Sequence, residues 1–516
     1  MTDYKNTLNL PKTDFPMKAN LAEQEPLRLK KWEDNKVYDK IQESRKGCPD
    51  YILHDGPPYA NGNIHIGTAL NKILKDFVIK IKTGQGFRSP YVPGWDCHGL
   101  PIELKVDQEL GEKKKDMTVS QIRKVCRNYA GKYIDIQRSD FKRLGVFGVW
   151  DKPYITMDFE YEATTLAELY KCYKKGEVYK GSKPVYWCHS CVTALAEAEV
   201  EYADHTSTSV FVKFPLDDEA KNKIGISGTV SAVIWTTTPW TLPANVAIAV
   251  NRDYEYSIVK INNADNSNLS AGEYIIVAKE MLENLAGTFK ITGYDEVKIL
   301  KGSELEYLNA RHPFYERNSM IVLADYVTLD AGTGLVHTAP GHGQDDYETG
   351  LRYNLDILSP VDDNGILRNV GIFDGMHINK ANKEIVAYMQ EHGSLLAQND
   401  ISHSYPHCWR CKKPVIFRAT PQWFISMSEN GLRERTLDAI KNKVKWIPSW
   451  GQNRIQSMVE NRPDWCISRQ RLWGVPIAFI TCQDCGEIIF NDEIEAKTIE
   501  AFKKEGADAW FEHDEA

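Results

Sequence analysis

The sequence predicts an α/β protein with a β domain inserted into it, and three observations support this. An α/β unit begins at Tyr51, where the apolar run YILH leads through a Gly- and Pro-rich turn into apolar residues at helical spacing that end at Ile81. Many short β-branched runs lie between about 207 and 340, a pattern typical of a β-barrel. A Cys-x2-Cys pair stands near each end of that stretch, which indicates an insert.

These patterns also predict the order of the elements. Residues before about 47 are polar and charged, with a helical stretch around Leu27 to Ile41. The helix after the turn should end at Gly84, because Lys82 supplies a basic last turn and glycine stops helices. Residues 119 to 180 should be mostly helical. The β-rich stretch should form strands at SVFVKF, TVSAVIW, NVAIAV, YSIVKI, YIIVA, MIVLADYVT and GLVHTA.

Length and pattern together predict the domains. At roughly 150 residues per domain, 516 residues suggest about three or four domains. We predict an N-terminal extension, the first part of the α/β domain with one cysteine pair, the inserted β domain, and a return to the α/β domain. Their bounds are 1–47, 48–198, 199–400 and 401–516.

The composition excludes several classes of protein. With 42% hydrophobic and 11% aromatic residues, the chain is neither disordered nor fibrous. The net charge of -8 argues against indiscriminate phosphate binding but allows a nucleic-acid partner on a local basic face. No apolar run approaches the roughly 18 residues of a membrane span, and Asp3, Lys5 and Lys12 stand where a signal peptide would be apolar. We expect a cytosolic protein with no membrane partner.

The turn within His54 to Lys72 is suited to an anion. Its small residues let backbone approach a ligand closely, and the following helix directs its amino terminus there. His65 could donate a proton or a hydrogen bond to a phosphate oxygen. A purely structural turn would have a similar composition, so the pattern by itself leaves both interpretations open.

Three segments resemble a known family. HDGPPYANGNIHIG from His54, GWDCHGLPIE from Gly94 and ISRQRLWGVPI from Ile467 are together similar to class I aminoacyl-tRNA synthetases, and among these to the bacterial isoleucyl enzymes. The resemblance covers essentially the whole chain. Valyl and leucyl relatives share the architecture but lack DGPPYANG and WDCHGLPIE. The resemblance implies a Rossmann-like nucleotide-binding catalytic domain interrupted by a β-barrel editing domain.

The resemblance also implies roles for individual residues. Asp96 would hold the ammonium group of the amino acid, with His98 and Glu103 nearby. Thr68 stands where the family usually has histidine, and its hydroxyl can donate a hydrogen bond but carries no positive charge toward the phosphate. The binding site for ATP with Mg²⁺ and for the aminoacyl-adenylate would be lined by Gly56, Pro57, Tyr59, Asn61, His65 and Gly67.

The paired cysteines predict a metal centre. Cys188/Cys191 and Cys408/Cys411 would supply four thiolates to one structural zinc ion, provided the fold unites the ends of the insert. The alternative is that they pack as small apolar residues. A third pair, Cys482/Cys485, is half of a zinc knuckle, and the resemblance places its partner cysteines after residue 516. We expect this pair to be empty or weakly metallated.

Two segments of the insert resemble the editing site of isoleucyl, valyl and leucyl synthetases. They are WTTTPWTLPAN from Trp235 and GTGLVHTAPGHGQDDY from Gly332. Threonines are common in strands and a histidine can simply be buried, so residue types alone would not suffice. By resemblance, Asp346, rather than Asp345, pairs with the ammonium of a misattached amino acid, and His337 narrows the pocket. The ester and the attacking water would be positioned by Thr236, Thr237, Thr238 and Asn245.

The resulting expectation is a monomeric enzyme that activates isoleucine with ATP, attaches it to tRNA(Ile) and hydrolyses misattached valine. No string resembling the family's lysine-rich KMSKS loop occurs in the sequence. We therefore expect an amino-terminal part of a longer enzyme, in which activation is lost or slow while editing is kept. Two alternatives stay open: a tRNA-binding aminoacyl-ester hydrolase without synthetase activity, and a zinc-stabilised nucleic-acid-binding protein without chemistry.

Overall fold

The computed structural model describes residues 4–9, 13–16 and 18–512. Asp3 and Lys12, two of the charged residues that argue against a signal peptide, lie outside these ranges. The chain divides into two compact units, one formed by Met1–Tyr170 with Arg471–Ala516 and the other by Lys171–Gln470. The first unit is thus discontinuous in sequence, with the second inserted in it. The finer division into four segments stays a prediction.

Helices account for most of the first unit. Across the described residues the α-helices are α1 (Leu21–Asp34), α2 (Val37–Ser44), α3 (Ile66–Gly84), α4 (Leu100–Leu110), α5 (Val119–Arg143), α6 (Phe159–Lys174), α7 (Asp218–Ile224), α8 (Leu282–Thr288), α9 (Gly302–Leu305), α10 (Gln344–Tyr353), α11 (Ile378–Glu391), α12 (Leu432–Asn442), α13 (Gly451–Glu460), α14 (Asp492–Glu505) and α15 (Ala509–Glu512). No helix in this part of the chain is both long and apolar enough to cross a bilayer.

The described residues form eighteen strands, most of which lie in the second unit. They are β1 (Gly94–Trp95), β2 (Tyr154–Ile155), β3 (Val178–Cys188), β4 (Thr193–Leu195), β5 (Val200–Pro215), β6 (Val230–Thr236), β7 (Ala247–Val250), β8 (Glu255–Ala264), β9 (Tyr274–Ala278), β10 (Ile291–Lys301), β11 (Asn309–Arg311), β12 (Asn318–Leu323), β13 (Leu335–Thr338), β14 (Leu395–Cys408), β15 (Ile416–Ile425), β16 (Trp465–Cys466), β17 (Ile480–Thr481) and β18 (Ile488–Ile489).

The helix predicted after the turn is confirmed as α3. His65 caps its amino terminus by accepting a hydrogen bond from the Gly67 amide, and the helix ends at Gly84 as expected. Its burial is unusual, since Lys72, Asp76 and Ile79 face inward. Five of its apolar side chains, in contrast, are exposed, and these are Ile66, Leu70, Leu74, Phe77 and Ile81.

One local prediction in the first unit is wrong, and another is confirmed as helical but interrupted. The run YILH is not a strand, because its neighbourhood makes only isolated parallel bridges, Asp50 with Arg88 and Tyr59 with Asp96. The helical stretch near the amino terminus is two helices, since Lys36 has a positive φ of 48° between α1 and α2. The regular parallel pairing observed here is β1 with β2, so a complete Rossmann-like sheet stays a prediction.

The second unit contains a ten-stranded sheet. Its order is β10-β8-β9-β6-β13-β7-β12-β11, with β5 paired to β6 and β14 paired to β5. Each of the seven predicted β-branched runs supplies one of these strands. The runs form strands because their alternate residues fill one continuous core, which includes Val212, Ile234, Ile248, Ile276 and Ile321. A second sheet of this unit has the order β16-β15-β3-β4.

Candidate functional sites

A buried ion pair supports the Gly-Pro-rich turn of the first unit. Asp55 is fully buried and accepts hydrogen bonds from Lys72, from Lys75 and from the Gly94 amide at 2.9 Å. Burial opposes its charge, but Lys72, Lys75 and Gly94 outweigh burial and hold the pKa of Asp55 below its usual value. Burial lowers the pKa of Lys72 to about 8. The Gly-Pro-rich turn is therefore held from both α3 and β1.

The second motif lies directly against this turn. The Asp96 amide donates to the Pro58 carbonyl at 2.9 Å, and the Ala60 amide donates to the Asp96 carbonyl at 2.9 Å. Burial raises the pKa of the Asp96 carboxyl, against a weak hydrogen bond from the His98 amide at 3.4 Å. A half-buried carboxylate with so little support of its own is suited to pair with a cationic ligand.

His98 and Glu103 serve mainly to support that carboxylate's neighbourhood. The Nε2 atom of His98 lies 3.0 Å from Oε1 of Glu162, and its ring packs edge-on against Trp473. Glu103 accepts hydrogen bonds from the amides of Leu472 at 3.1 Å and Trp473 at 3.3 Å. The RLWG part of the third motif thus meets the second motif. Direct contact of His98 or Glu103 with a ligand stays a prediction.

Other residues fix the turn itself. Asn61 donates to the Pro101 carbonyl at 2.8 Å and accepts from the Tyr129 hydroxyl at 3.0 Å. The buried Gln137 donates to the carbonyls of Tyr59 at 3.1 Å and Gly62 at 2.8 Å. Both sides of the turn are therefore tied to α4 and α5.

The start of α3 leaves donors open toward solvent. Nδ1 of His65 accepts from the Gly67 amide at 3.1 Å, so Nε2 is the nitrogen available to a ligand. A Cβ atom at Gly67 would lie 2.9 Å from the His65 ring, which explains the glycine. Thr68 is half-buried in the first turn, while Gly56 is exposed and Pro57 half-buried at the near end of the loop. Helix amides and dipole here favour an anion.

The four predicted cysteine ligands come together in the second unit. Cys188, Cys191, Cys408 and Cys411 place their sulfur atoms within 4.8 Å of one another, and Cys188 Sγ lies 3.5 Å from Cys411 Sγ. Because β5 begins at Val200 and pairs with β14, Cys408 lies opposite Val200 and returns to the Cys188 end of β3. A tetrahedron with Zn–S bonds of about 2.3 Å has sulfur atoms about 3.8 Å apart, so the cluster fits a zinc-sized ion.

The third cysteine pair stands alone. Cys482 is half-buried and Cys485 is exposed on the β17–β18 hairpin, where the Gly486 amide donates to the Cys482 carbonyl at 3.0 Å. Within the described residues the four-cysteine cluster is the one group of three or more potential ligands. The pair therefore offers two ligands in this part of the chain.

The predicted editing residues form a hydroxyl–imidazole network. Thr236 and Thr238 hydroxyls lie 3.2 Å apart, and Thr238 lies 3.2 Å from Thr241, which lies 2.9 Å from Nε2 of His337. Nδ1 of His337 is 2.8 Å from the Asn245 amide nitrogen, which is a donor, so Nε2 carries the ring proton. Burial lowers the pKa of His337 to about 3. The ring is neutral and both its nitrogens are engaged. Thr237 lies half-buried beside the network.

Asp346 lies in the first turn of α10 and contacts the residue that follows β13, the strand that carries His337. Its Oδ2 accepts from the Ala339 amide at 2.8 Å, just after β13, and its Oδ1 accepts from the Tyr326 hydroxyl at 3.1 Å. Burial raises the pKa of Asp346 to about 6. Asp345 is exposed in the same first turn of α10.

Several supporting residues escape sequence analysis. Lys72, Gln137, Glu162, Thr241 and Tyr326 act through hydrogen bonds to residues from 17 to 345 positions away. Lys72 and Thr241 lie inside distinctive segments, His54 to Lys72 and WTTTPWTLPAN, but those segments do not reveal their partners. No local motif marks Gln137, Glu162 or Tyr326.

Two joined motifs at a helix amino terminus and a four-thiolate cluster beside a large sheet define the class of protein. The family model for tRNA synthetases class I (I, L, M and V) matches residues 27–516, and the chain belongs to this family.

Two curated relatives of the chain are isoleucine–tRNA ligases. The chain is 56% identical over 519 residues to an isoleucine–tRNA ligase of Lawsonia intracellularis, covering 99% of this chain and 54% of the relative. It is 57% identical over 522 residues to the corresponding ligase of Nitratidesulfovibrio vulgaris, covering 100% of this chain and 54% of the relative. The chain thus spans about half the length of the curated relatives it matches.

Among solved structures, LeuRS of Agrobacterium radiobacter in a ternary complex matches at 17% identity and a TM-score of 0.37, covering 92% of this chain and 52% of that chain. This likeness is too weak to establish the fold.

Proposed function

We propose that this chain carries the amino-acid activation and editing sites of a cytosolic, monomeric isoleucine–tRNA ligase. The observation that carries the proposal is 56% identity to such a ligase across 99% of the chain. The hydrogen bonds between Asp96 and the turn also support the proposal, because they hold a carboxylate next to the turn that leads into α3. The substrates would be isoleucine, ATP with Mg²⁺ and tRNA(Ile).

In activation, a carboxylate oxygen of isoleucine would attack the α-phosphorus of ATP and pyrophosphate would leave. Asp96 would pair with the ammonium, which fixes the amino acid for attack. The amides at the start of α3 and Nε2 of His65 would face the phosphate oxygens, with Gly56, Pro57, Tyr59, Asn61 and Gly67 forming the walls. A tRNA hydroxyl would then displace AMP from the adenylate.

Editing would remove the valine that the activation pocket cannot exclude. Valine lacks one methylene of isoleucine, a difference worth about 1 to 3 kcal/mol, for which isoleucyl enzymes are the standard example. We assign hydrolysis of the valyl ester to the network of Thr236, Thr237, Thr238, Asn245 and His337 with Asp346. Water would attack the ester carbonyl and the tRNA hydroxyl would leave, which frees valine, while Asp346 holds the ammonium. The neutral His337 would limit pocket width and take no part in proton transfer.

Two structural proposals accompany the function. Closure of the ten-stranded sheet into the expected barrel is supported by an isolated bridge from Leu216, after β5, to Ala310 in β11. We propose zinc as the ion for the four cysteines, because four thiolates close a tetrahedral site and leave no open position for catalysis.

Isoleucine-dependent exchange between ATP and pyrophosphate tests activation. Because no KMSKS-like string occurs in the sequence, we expect slow exchange that prefers isoleucine over valine, leucine and methionine. Asp96→Asn should abolish exchange by removing the ammonium's partner. The matched control Asp116→Asn, at an exposed aspartate of the same unit, should leave it unchanged. Exchange that prefers another amino acid would refute the proposal.

The second candidate is an aminoacyl-ester hydrolase without activation. It is favoured by the position of the editing residues, all within the compact unit Lys171–Gln470. Loss of valine from tRNA(Ile) without ATP, with no exchange under any condition, would select this candidate.

A further inference from the structure

Asp346 is held by a residue that neither the motifs nor the proposed chemistry include. Tyr326 follows β12, Ala339 follows β13, and Asp346 lies in the first turn of α10. The Tyr326 hydroxyl donates to Oδ1 at 3.1 Å and the Ala339 amide donates to Oδ2 at 2.8 Å. Three elements thus meet at one carboxylate.

These two hydrogen bonds leave a defined direction for a cation. A carboxylate has about four lone-pair positions, and here one on each oxygen is occupied. The side chain of an aspartate in a helix's first turn would otherwise rotate. A donor on each oxygen, from two different elements, fixes the plane of the group. The lone-pair positions that remain for a cation therefore have fixed directions.

The surroundings of Tyr326 make it a donor rather than an acceptor to Asp346. Its hydroxyl also interacts with the buried side chains of Thr338 and Thr349. Burial, followed by the nearby charge of Asp346, raises the pKa of Tyr326. The phenol therefore keeps its proton, and that proton is shared with Oδ1.

The groups acting on Asp346 are few. Burial disfavours its charge, the Ala339 amide and the Tyr326 hydroxyl favour it, and Asp345 on the same helix disfavours it. Removing the hydroxyl removes one of the two contacts that favour the charged form.

We propose that Tyr326 is a positioning residue for editing, which keeps the Asp346 carboxylate charged and oriented toward the ammonium of an aminoacyl ester. This inference rests on the proposed editing function. It assigns Tyr326 no contact with the substrate and no proton transfer in hydrolysis.

The test is the pH profile of deacylation of valyl-tRNA(Ile) by the full 516-residue chain. Asp346 must be charged to pair with ammonium, so activity should fall as the pH drops through its pKa. Tyr326→Phe deletes one hydrogen bond to a charged group, which raises that pKa. The acid limb should therefore move to higher pH by about one unit, with activity near pH 8 mostly kept.

Two further variants make the result specific. Tyr315→Phe is the matched control, because its hydroxyl donates to the Val370 carbonyl at 2.9 Å in the same unit, and its acid limb should stay in place. 3-Fluorotyrosine at position 326 is a stronger donor of nearly the same shape, so it should move the limb to lower pH. It also serves if Tyr326→Phe fails to fold.

The outcomes distinguish the role of Tyr326 from the editing function itself. An active wild type whose acid limb is unmoved by Tyr326→Phe or by 3-fluorotyrosine overturns the role of Tyr326 and leaves the editing proposal standing. A wild type that cleaves no valyl-tRNA(Ile) overturns the editing proposal and this inference with it.

Discussion

At the scale of single residues, charge burial separates supporting from functional carboxylates. Asp55 and Glu162 are fully buried and hydrogen-bonded on both oxygens by the protein itself. Asp96 and Asp346 differ, because burial raises their pKa values and the hydrogen bonds they accept, which in Asp346 reach both oxygens, offset this only in part. Such incomplete compensation is frequent where a cationic ligand completes the site.

This difference predicts a stability cost at Asp346. With a pKa of about 6 in the folded state and about 3.9 unfolded, its contribution to stability is fully present below pH 4 and lost as the pH rises through 6. Asp346→Asn should thus be more stable than wild type by about 2 to 3 kcal/mol at pH 8, and the gain should vanish below about pH 4.

Urea unfolding at both pH values measures this gain. The neighbouring exposed Asp345→Asn is the control, expected within about 0.5 kcal/mol of wild type at either pH. A less stable Asp346→Asn at pH 8 would show that the carboxylate is needed for folding rather than for a ligand.

At the scale of elements, the sequence predicts best where β-branched residues are buried. The seven β-branched runs became strands because such side chains suit strands, and both faces of β6, β7 and β9 are buried. YILH is also apolar, but its neighbours offer it only single bridges. The α3 helix is predicted by spacing, whereas its exposed apolar side could not be, since spacing does not reveal which face is covered.

The candidate site could be proposed from the sequence in outline only. Asp96, His337 and Asp346 were proposed because each lies in a contiguous distinctive segment, and their roles stay predictions. Glu162 and Tyr326 could not be found, because their roles depend on distant parts of the chain meeting in three dimensions.

The pairing of β5 with β14 carries a prediction about metal. Because that pairing brings Cys408 back to Cys188, one zinc ion should co-purify per chain. Cys408→Ser should release it and lower the melting temperature of the unit, since metal binding is coupled to folding. Cys48→Ser, at a half-buried cysteine outside the cluster, should keep the metal. Elemental analysis of reduced protein decides this, and absence of zinc from wild type would reject the assignment.

At the scale of the whole molecule, we propose a separate chemistry for each of the two compact units. The turn, Asp96 and their supports belong to Met1–Tyr170 with Arg471–Ala516, whereas the editing residues and four cysteines belong to Lys171–Gln470. One unit would select isoleucine by binding, and the other would remove what binding cannot exclude. Specificity is then a property of both units together.

Deacylation of valyl-tRNA(Ile) and isoleucyl-tRNA(Ile), measured side by side without ATP, tests this account most directly. We expect the wild-type chain to cleave the valyl ester and spare the isoleucyl ester, and Asp346→Ala to lose most of the valyl cleavage, by roughly ten-fold or more for a charged hydrogen bond. Equal cleavage of both esters, or valyl cleavage unchanged by Asp346→Ala, would contradict it.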